Sequence, residues 1–404
     1  MNPAVRHIEE LLTNLQAVDY RSWDHYDFWG SPIGIRLRRV KGFLRWPLVG
    51  TGFIIDILFP RSVRIGKPKE IAMETLPSIM RAMLVYFRET GDTRFEDDRE
   101  RLYTGMIEQL GSSSHGRGVG HQFDWYTTVL IPAYTPCVTL TAYLVEYIFD
   151  SWGDSLAERE LEVLKDIGEF VYRDLSREDL PDEKSRVAYT ELDNRRVINA
   201  NAYASLILLR LGKYFGRDDY LDLSQRLLRY VIGEQAEDGG WFYFEKGSID
   251  ESENFIDSFH TAFVIESLWE YSRLADTPEA GEAKVACIKG LKFFKTSFIL
   301  PDGGVKQFLV KHLPIEASVD TRCLAEGANL MSIAGTENQE LLIVADSILG
   351  RLKEDMYSTD KGFYYHRRYG FILSKMNYIR WSTAPLLNAL ASRSLAGFDS
   401  TGRI

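Results

Sequence analysis

From residue 68 onward, apolar residues recur at i, i+3 and i+4, the spacing of one helix face, over long segments separated by loops rich in Gly, Asp and Pro. Strand-like runs are few. Five stretches resemble one another: 123–148, 197–211, 255–271, 319–333 and 378–393. Each opens on polar or aromatic residues and then becomes small and apolar, and the last four start about 60 residues apart, the mark of a repeat. More strongly amphipathic segments lie between them, at 155–172, 219–232, 280–297 and 337–352. A further pair is predicted at 68–90 and 94–110.

The first set carries small residues where helices would crowd a centre, as in 199–205 (NANAYAS) and 323–329 (CLAEGAN). The second set carries Arg, Glu and Lys along one face. Two concentric rings of helices satisfy both patterns. The predicted fold is therefore all-α, an (α/α)6 toroid over residues 68–404, with residues 1–67 as an N-terminal extension. An open solenoid would need capping repeats, and none is evident. The loops repeat too: 235–241 (QAEDGGW), 300–305 (LPDGGV) and 358–363 (STDKGF) occupy the same place in successive hairpins. Asp-Gly supplies a tight turn with positive φ. The QxxDGxW form of 235–241 is similar to the staple of terpene cyclases and other toroids, which implies a structural role. Trp241 is also a candidate stacking surface.

Composition adds three constraints. The aromatic complement of 8 Trp, 21 Tyr and 22 Phe suits a large core and an aromatic-lined cavity. A net charge of −10 excludes a general nucleic-acid footprint. Three scattered cysteines, Cys137, Cys287 and Cys323, exclude a disulfide scaffold and a thiolate zinc site, and fit a reducing compartment. Residues 1–12 are polar and amphipathic, unlike a secretory leader. Cytoplasmic residence is expected.

One region breaks the acidic trend. Residues 36–69 hold nine basic side chains and one acid, Asp56, so this segment is +8 and the remainder −18. Within it, 46–59 is almost wholly apolar. Fourteen residues are too few to cross a bilayer but enough to lie on one. Three readings stand: a strand or short helix packed on the body with solvated arginines, peripheral contact with the cytoplasmic face of a membrane, or a basic rim for a polyanionic substrate.

The motifs 123–125 (FDW), 199–202 (NANA), 256–261 (IDSFHT), 320–322 (DTR) and 378–382 (YIRWS), in this order and spacing, resemble a family of toroidal, prenyltransferase-like proteins of polysaccharide and cell-surface glycan biosynthesis. The resemblance runs from about residue 19 to 395. It implies a saccharide or lipid-linked glycan as partner. The chain departs from the family pattern at Arg322, where a His usually stands, and at Tyr126, where a Gln often stands.

Inner-helix starts converge on one end of a toroid, which would gather Asp124, Trp125, Asn199, Asn201, Tyr203, Asp257, His260, Asp320, Arg322, Arg380 and Trp381. Loops add His121, Glu316, Tyr364, Tyr365, His366, Arg367 and Arg368. Asp257 and His260, at i and i+3, can form a carboxylate–imidazole base or merely an N-cap beside a packed histidine. Asp320, with Glu316, could form a glycosidase-type carboxylate pair, or could cap its own helix. Asn201 and Tyr203 could orient sugar hydroxyls, and Asn199 could cap. Arg322 and Arg380 suit an anionic group beside the Trp125 and Trp381 platforms. The 364–368 loop (YYHRR) could serve uronate elimination or C5 epimerisation, or be a solvated turn. The seven histidines show no HExxH or HxH spacing, and neither DxDD nor DDxxD occurs. No metal or cofactor is predicted. The glycine-rich loop 111–120 lacks a P-loop lysine and reads as a lid.

The expectation is a carbohydrate-active enzyme of surface-polysaccharide or lipid-linked glycan biosynthesis: a hydrolase, lyase or epimerase with Asp257, His260 and Asp320 as acid/base candidates. The alternatives are a non-catalytic glycan-binding scaffold and an isoprenoid-handling toroid.

Overall fold

The computed structural model describes residues 2–40, 42, 45–127, 129–153, 155–248, 254–310 and 317–399. Fifteen α-helices are present among them. The first four are α1 (Pro3–Gln16), α2 (Tyr26–Trp29), α3 (Pro32–Arg39) and α4 (Arg45–Leu58). Then come α5 (Leu76–Thr90), α6 (Glu96–Glu108), α7 (Val138–Trp152), α8 (Glu158–Glu169), α9 (Ile198–Phe215) and α10 (Asp218–Gly233). The last five are α11 (Ser258–Leu274), α12 (Pro278–Ser297), α13 (Thr321–Gly335), α14 (Gln339–Met356) and α15 (Thr383–Asp399).

Helices α5, α7, α9, α11, α13 and α15 each touch the next, and α15 returns to touch α5. This closes the inner ring. Helices α6, α8, α10, α12 and α14 back the hairpins from outside. Small residues set the inner–outer distance. Ser205 Oγ donates to the Ser224 carbonyl and Ser224 Oγ to the Ser205 carbonyl, both at 2.7 Å, tying α9 to α10. At Gly335 a Cβ would lie 2.2 Å from Leu342 Cδ2, so a larger residue would have to displace that leucine for α13 and α14 to stay this close.

The sixth outer helix is α1, which packs on α15 and α5. Its Val5, Ile8, Leu11, Leu12 and Leu15 are buried in the main core. The boundary expected at 67/68 thus leaves a ring helix on the wrong side: α1 completes the toroid. The physical reason is closure. The amphipathic α1 covers the outer face of α15, as each outer helix covers its inner partner elsewhere in the ring. The described residues between 20 and 70 then cross the end where the inner helices begin, anchored by paired backbone bonds between Ser22 and Glu70.

The QxxDGxW loop is a staple, as read. Gln235 Nε2 donates to the carbonyls of Gly239 and Ala286, both at 3.0 Å, and Trp241 Nε1 donates to the Val231 carbonyl at 2.9 Å. Gly239 adopts φ +105°, closed to other residues. Short antiparallel pairs decorate the helix starts: 125–126 with 130–131, 256–257 with 308–310, and 319–320 with 367–368, which in turn pairs with 372–374.

Candidate functional site

A cavity of about 570 Å³ opens at the end where the inner helices start. Aromatic side chains form much of its wall, among them Tyr26, Phe123, Trp125, Tyr189, Tyr243, Phe259 and Trp381. Three guanidinium groups lie against those rings. Arg322 sits 5.0 Å from the centroids of both Phe259 and Trp381. Arg380 lies over Trp381 at 4.8 Å, and Arg195 over Trp125 at 4.9 Å. Such stacking holds the fork of each arginine in place while leaving N–H groups available. Arg195 is paired with Asp193 at 2.9 Å, and Arg380 with Glu74 and Asp24. Arg322 has the loosest ionic partner, Glu326 at 3.5 Å. Burial opposes its charge, but Glu326 and Glu74 hold it above the ordinary arginine value.

Two imidazoles line the same cavity, each beside a carboxylate. Asp257 precedes α11. Its Oδ1 accepts the His260 amide at 2.9 Å, a helix cap, while its Oδ2 lies 2.7 Å from His260 Nδ1. With Nδ1 donating to the carboxylate, Nε2 carries the free lone pair of a general base. The second pair is His121 Nδ1 beside Glu74 Oε2 at 2.9 Å. Burial works against ionisation of Glu74, but Arg380 and His121 outweigh it and hold its carboxyl well below the usual carboxylate range. His260 is on the fourth hairpin, and Glu74 just precedes the first inner helix, so the pairs come from distant parts of the ring.

A smaller chamber of about 130 Å³ continues along the ring axis and shares Glu74, Tyr143, Phe263, Arg322 and Arg380 with the first. Glu146, Glu266 and Glu326 line it. Burial pushes Glu146 and Glu326 up to about 7, and pushes Glu266 up as well, helped by the other two. Among the described residues, no cluster of three or more His, Cys, Asp or Glu side chains is arranged to hold a metal ion.

Of the expected site residues, the cavity brings together Trp125, Asn199, His260, Arg322, Arg380 and Trp381, with Asp257 directly behind His260. Tyr203 lines the axial chamber. The others are elsewhere. Asp320 caps α13: its Oδ1 accepts the amides of Arg322 and Cys323, and its Oδ2 meets Arg367 and Gln307. It is buried and absent from the cavity wall. Asn201 is fully occupied by the backbone of Val187 and Val197. Trp241 is buried in the staple. Asp124 Oδ1 accepts the Ala133 amide and lines a separate side pocket. Tyr364 is buried 2.7 Å from His7 Nε2 of α1, on the outer ring, and Tyr365 bonds to Ser358. His366 is buried behind Trp381; desolvation, with Arg367 and His25, pushes it well below the usual histidine value and keeps it neutral. Glu316 lies outside the described residues. The loop 111–120 is pinned by Asp174, which accepts from Ser113 Oγ at 2.5 Å and from the His115 amide at 2.9 Å, and it does not touch the cavity.

Sequence reasoning missed Glu74, Tyr26, Tyr243, Phe259 and Arg195. Glu74 had a readable signal: it precedes its inner helix as Asp257 and Asp320 precede theirs.

No family model matches the sequence, and no curated protein matches it. Solved structures do resemble it. A sugar epimerase from a ruminal bacterium superposes with a TM-score of 0.55 at 15% identity, over 81% of this chain and 87% of that one. A possible member of the GH105 family from Klebsiella pneumoniae gives 0.59 at 12% identity, over 98% and 94%. A polysaccharide lyase gives 0.57 at 10% identity, over 86% and 98%. The fold is an (α/α)6 toroid. At these identities, the likeness extends to the fold alone.

Proposed function

We propose that this chain is a carbohydrate-active enzyme that moves a proton on or off a sugar carbon beside an acidic group, with epimerisation as the favoured outcome. The observation that carries this reading is the pair of carboxylate-backed imidazoles, His260 and His121, facing one aromatic cavity that also holds Arg322 and Arg380. One imidazole removes the proton; a second, from another part of the ring, returns one to the opposite face. Guanidinium groups stabilise the negative charge that develops on the neighbouring carboxylate or carbonyl oxygen. Aromatic walls suit the apolar faces of a pyranose.

Hydrolysis by a carboxylate pair fits less well. Among the described residues Glu74 is the one carboxylate in the wall of the larger cavity, and it is engaged by Arg380 and His121. An isoprenoid site would be lined by aromatics without these cations and imidazoles. The sugar epimerase and the polysaccharide lyase among the structural neighbours add support. The sequence resemblance to glycan biosynthesis proteins supports a polysaccharide or lipid-linked glycan as substrate, and Arg322 and Arg380 in the cavity wall support an acidic sugar, such as a uronate, within it.

The test is incubation with uronic-acid oligosaccharides in deuterated water, followed by NMR. Epimerisation incorporates deuterium at one sugar carbon and creates the epimer, and His260→Asn abolishes both. New reducing ends without deuterium would establish hydrolysis and overturn the proposal; an unsaturated product would replace epimerisation by elimination.

A further inference from the structure

Helix α4 is oriented against the usual rule for a surface helix. Its one acidic residue, Asp56, points inward and is buried, where it pairs with the buried Arg64 at 2.6 Å and with His25 at 3.3 Å. Arg64 also donates to the carbonyls of Asp24 and Pro60 and stacks on Tyr378. This anchor fixes the helix's rotation. Outward face Leu48, Ile54, Ile55 and Leu58, at 40–54% exposure, followed by Phe59 at 59%. A soluble surface helix puts its charge outside and its isoleucines inside; here each is reversed, so the exposed stripe is a built feature and not a leftover.

A second apolar group adjoins it. The hairpin formed by 367–369 and 372–374 packs on α4, with Phe53 meeting Tyr369 edge-on at 5.0 Å. At its tip Phe371 is 96% exposed. The chain segment that carries α4 is cationic. Arg36, Arg61, Lys67 and Lys69 are exposed, in a segment that is +8 within a chain of −10.

We propose that the outward face of α4, with the Phe371 tip, docks on the surface of an anionic lipid bilayer. Charge complementarity selects the occupant: an apolar stripe in a cationic segment, with Arg36 on the adjoining α3 and Arg61 two residues past Phe59, suits acyl chains beneath anionic headgroups. At fourteen residues α4 lies along the surface, since a span needs about 20. The same N-terminal segment contributes Tyr26 to the cavity wall, so the docking element and the mouth share one stretch of chain.

The experiment is flotation of the full chain with vesicles of phosphatidylcholine alone or mixed with phosphatidylglycerol, at low and high salt. It needs no activity, so it stands or falls apart from the catalytic reading. Two triple variants are compared, Ile54→Ser/Leu58→Ser/Phe371→Ser and Arg36→Glu/Arg61→Glu/Lys67→Glu, with circular dichroism as the folding control. Both alter exposed residues. Wild type is expected to float with the anionic vesicles only, and less at high salt. The apolar variant should bind at least tenfold less. The charge variant should lose about five-fold per cation. Absence of flotation, equal flotation with neutral vesicles, or unchanged binding by both variants overturns the proposal. So does a wild-type dimer, seen by light scattering, that the apolar variant dissolves: the face would then belong to a second copy.

Discussion

The starts of α11 and α13 carry the same device with opposite consequences. Each is capped by an aspartate, Asp257 or Asp320, whose Oδ1 accepts an amide of the first turn. At α11 the second oxygen meets an imidazole three residues on, and that imidazole lines the cavity. At α13 the second oxygen meets Arg367, brought in by the strand that pairs with 319–320, and the carboxylate is sealed from the cavity. A capping aspartate is therefore structural by default. What sets the two caps apart is the residue at the third helical position, His260 at α11 and Cys323 at α13, and the Arg367 that meets Asp320.

The comparison is broken most sharply at His260. Replacing it with Asn should lower turnover by about 10³-fold, the usual scale for a positioned acid/base, while the unfolding midpoint moves little, because its side chain is partly exposed at the cavity edge. Steady-state rates alongside thermal unfolding check both halves. Next comes Arg322, the neighbour of Asp320. Arg322→Gln should raise KM for an anionic saccharide by roughly 10–100-fold, the scale of a lost charged hydrogen bond, and leave a neutral analogue unaffected. Equal losses for both substrates would remove the anion-binding role.

Asp320→Asn should sharpen the contrast from the other side. It strands the buried Arg367, at 12% side-chain exposure, and breaking a buried pair costs about 3–5 kcal/mol. The expected result is a large drop in the urea midpoint with turnover per folded molecule unchanged. A mutant that is stable but inactive would restore Asp320 to the catalytic machinery.

The sequence pattern anticipated the ring well and the site in part, for one reason. Helical periodicity is local, so α9, predicted at 197–211, appears as Ile198–Phe215, and α13, predicted at 319–333, as Thr321–Gly335. The stretch at 123–148 begins as helix only at Val138, because Trp125–Tyr126 pairs with Leu130–Ile131 and Pro136 follows. Contacts between distant segments left no periodic trace. Helix α1 has a readable apolar face, but nothing local announces a partner near the other end of the chain. Glu74 and His121 meet across 47 positions, with the same result. The aromatic loop 364–368 was assigned to the mouth as a unit. Two different strand pairings divide it instead: Tyr364, in the strand that pairs with 357–358, faces α1, while Arg367, in the strand that pairs with 319–320, turns to the Asp320 cap.

The least effect on turnover is expected in the axial chamber, which shares a wall with the mouth but has a cluster of carboxyls where the mouth has its imidazoles. Among the described residues Glu146 has no ion pair of its own: Arg81 beside it is bonded to Asp150. Burial raises its carboxyl to about 7, above the value near 4.5 of the unfolded chain. Between these two values the folded state keeps a proton that the unfolded state releases, so this group makes stability fall as pH rises from about 4.5 to 7, with no further change above. Glu146→Gln removes that slope. The variant's unfolding midpoint, measured against wild type, should therefore gain steadily from pH 5 to pH 7.5, while turnover stays close to wild type. His366, held neutral in the folded state but free to take up a proton once unfolded, is common to both proteins and cancels in the difference. A flat difference across that range would mean that Glu146 ionises normally, and that the axial chamber is as hospitable to charge as the mouth above it.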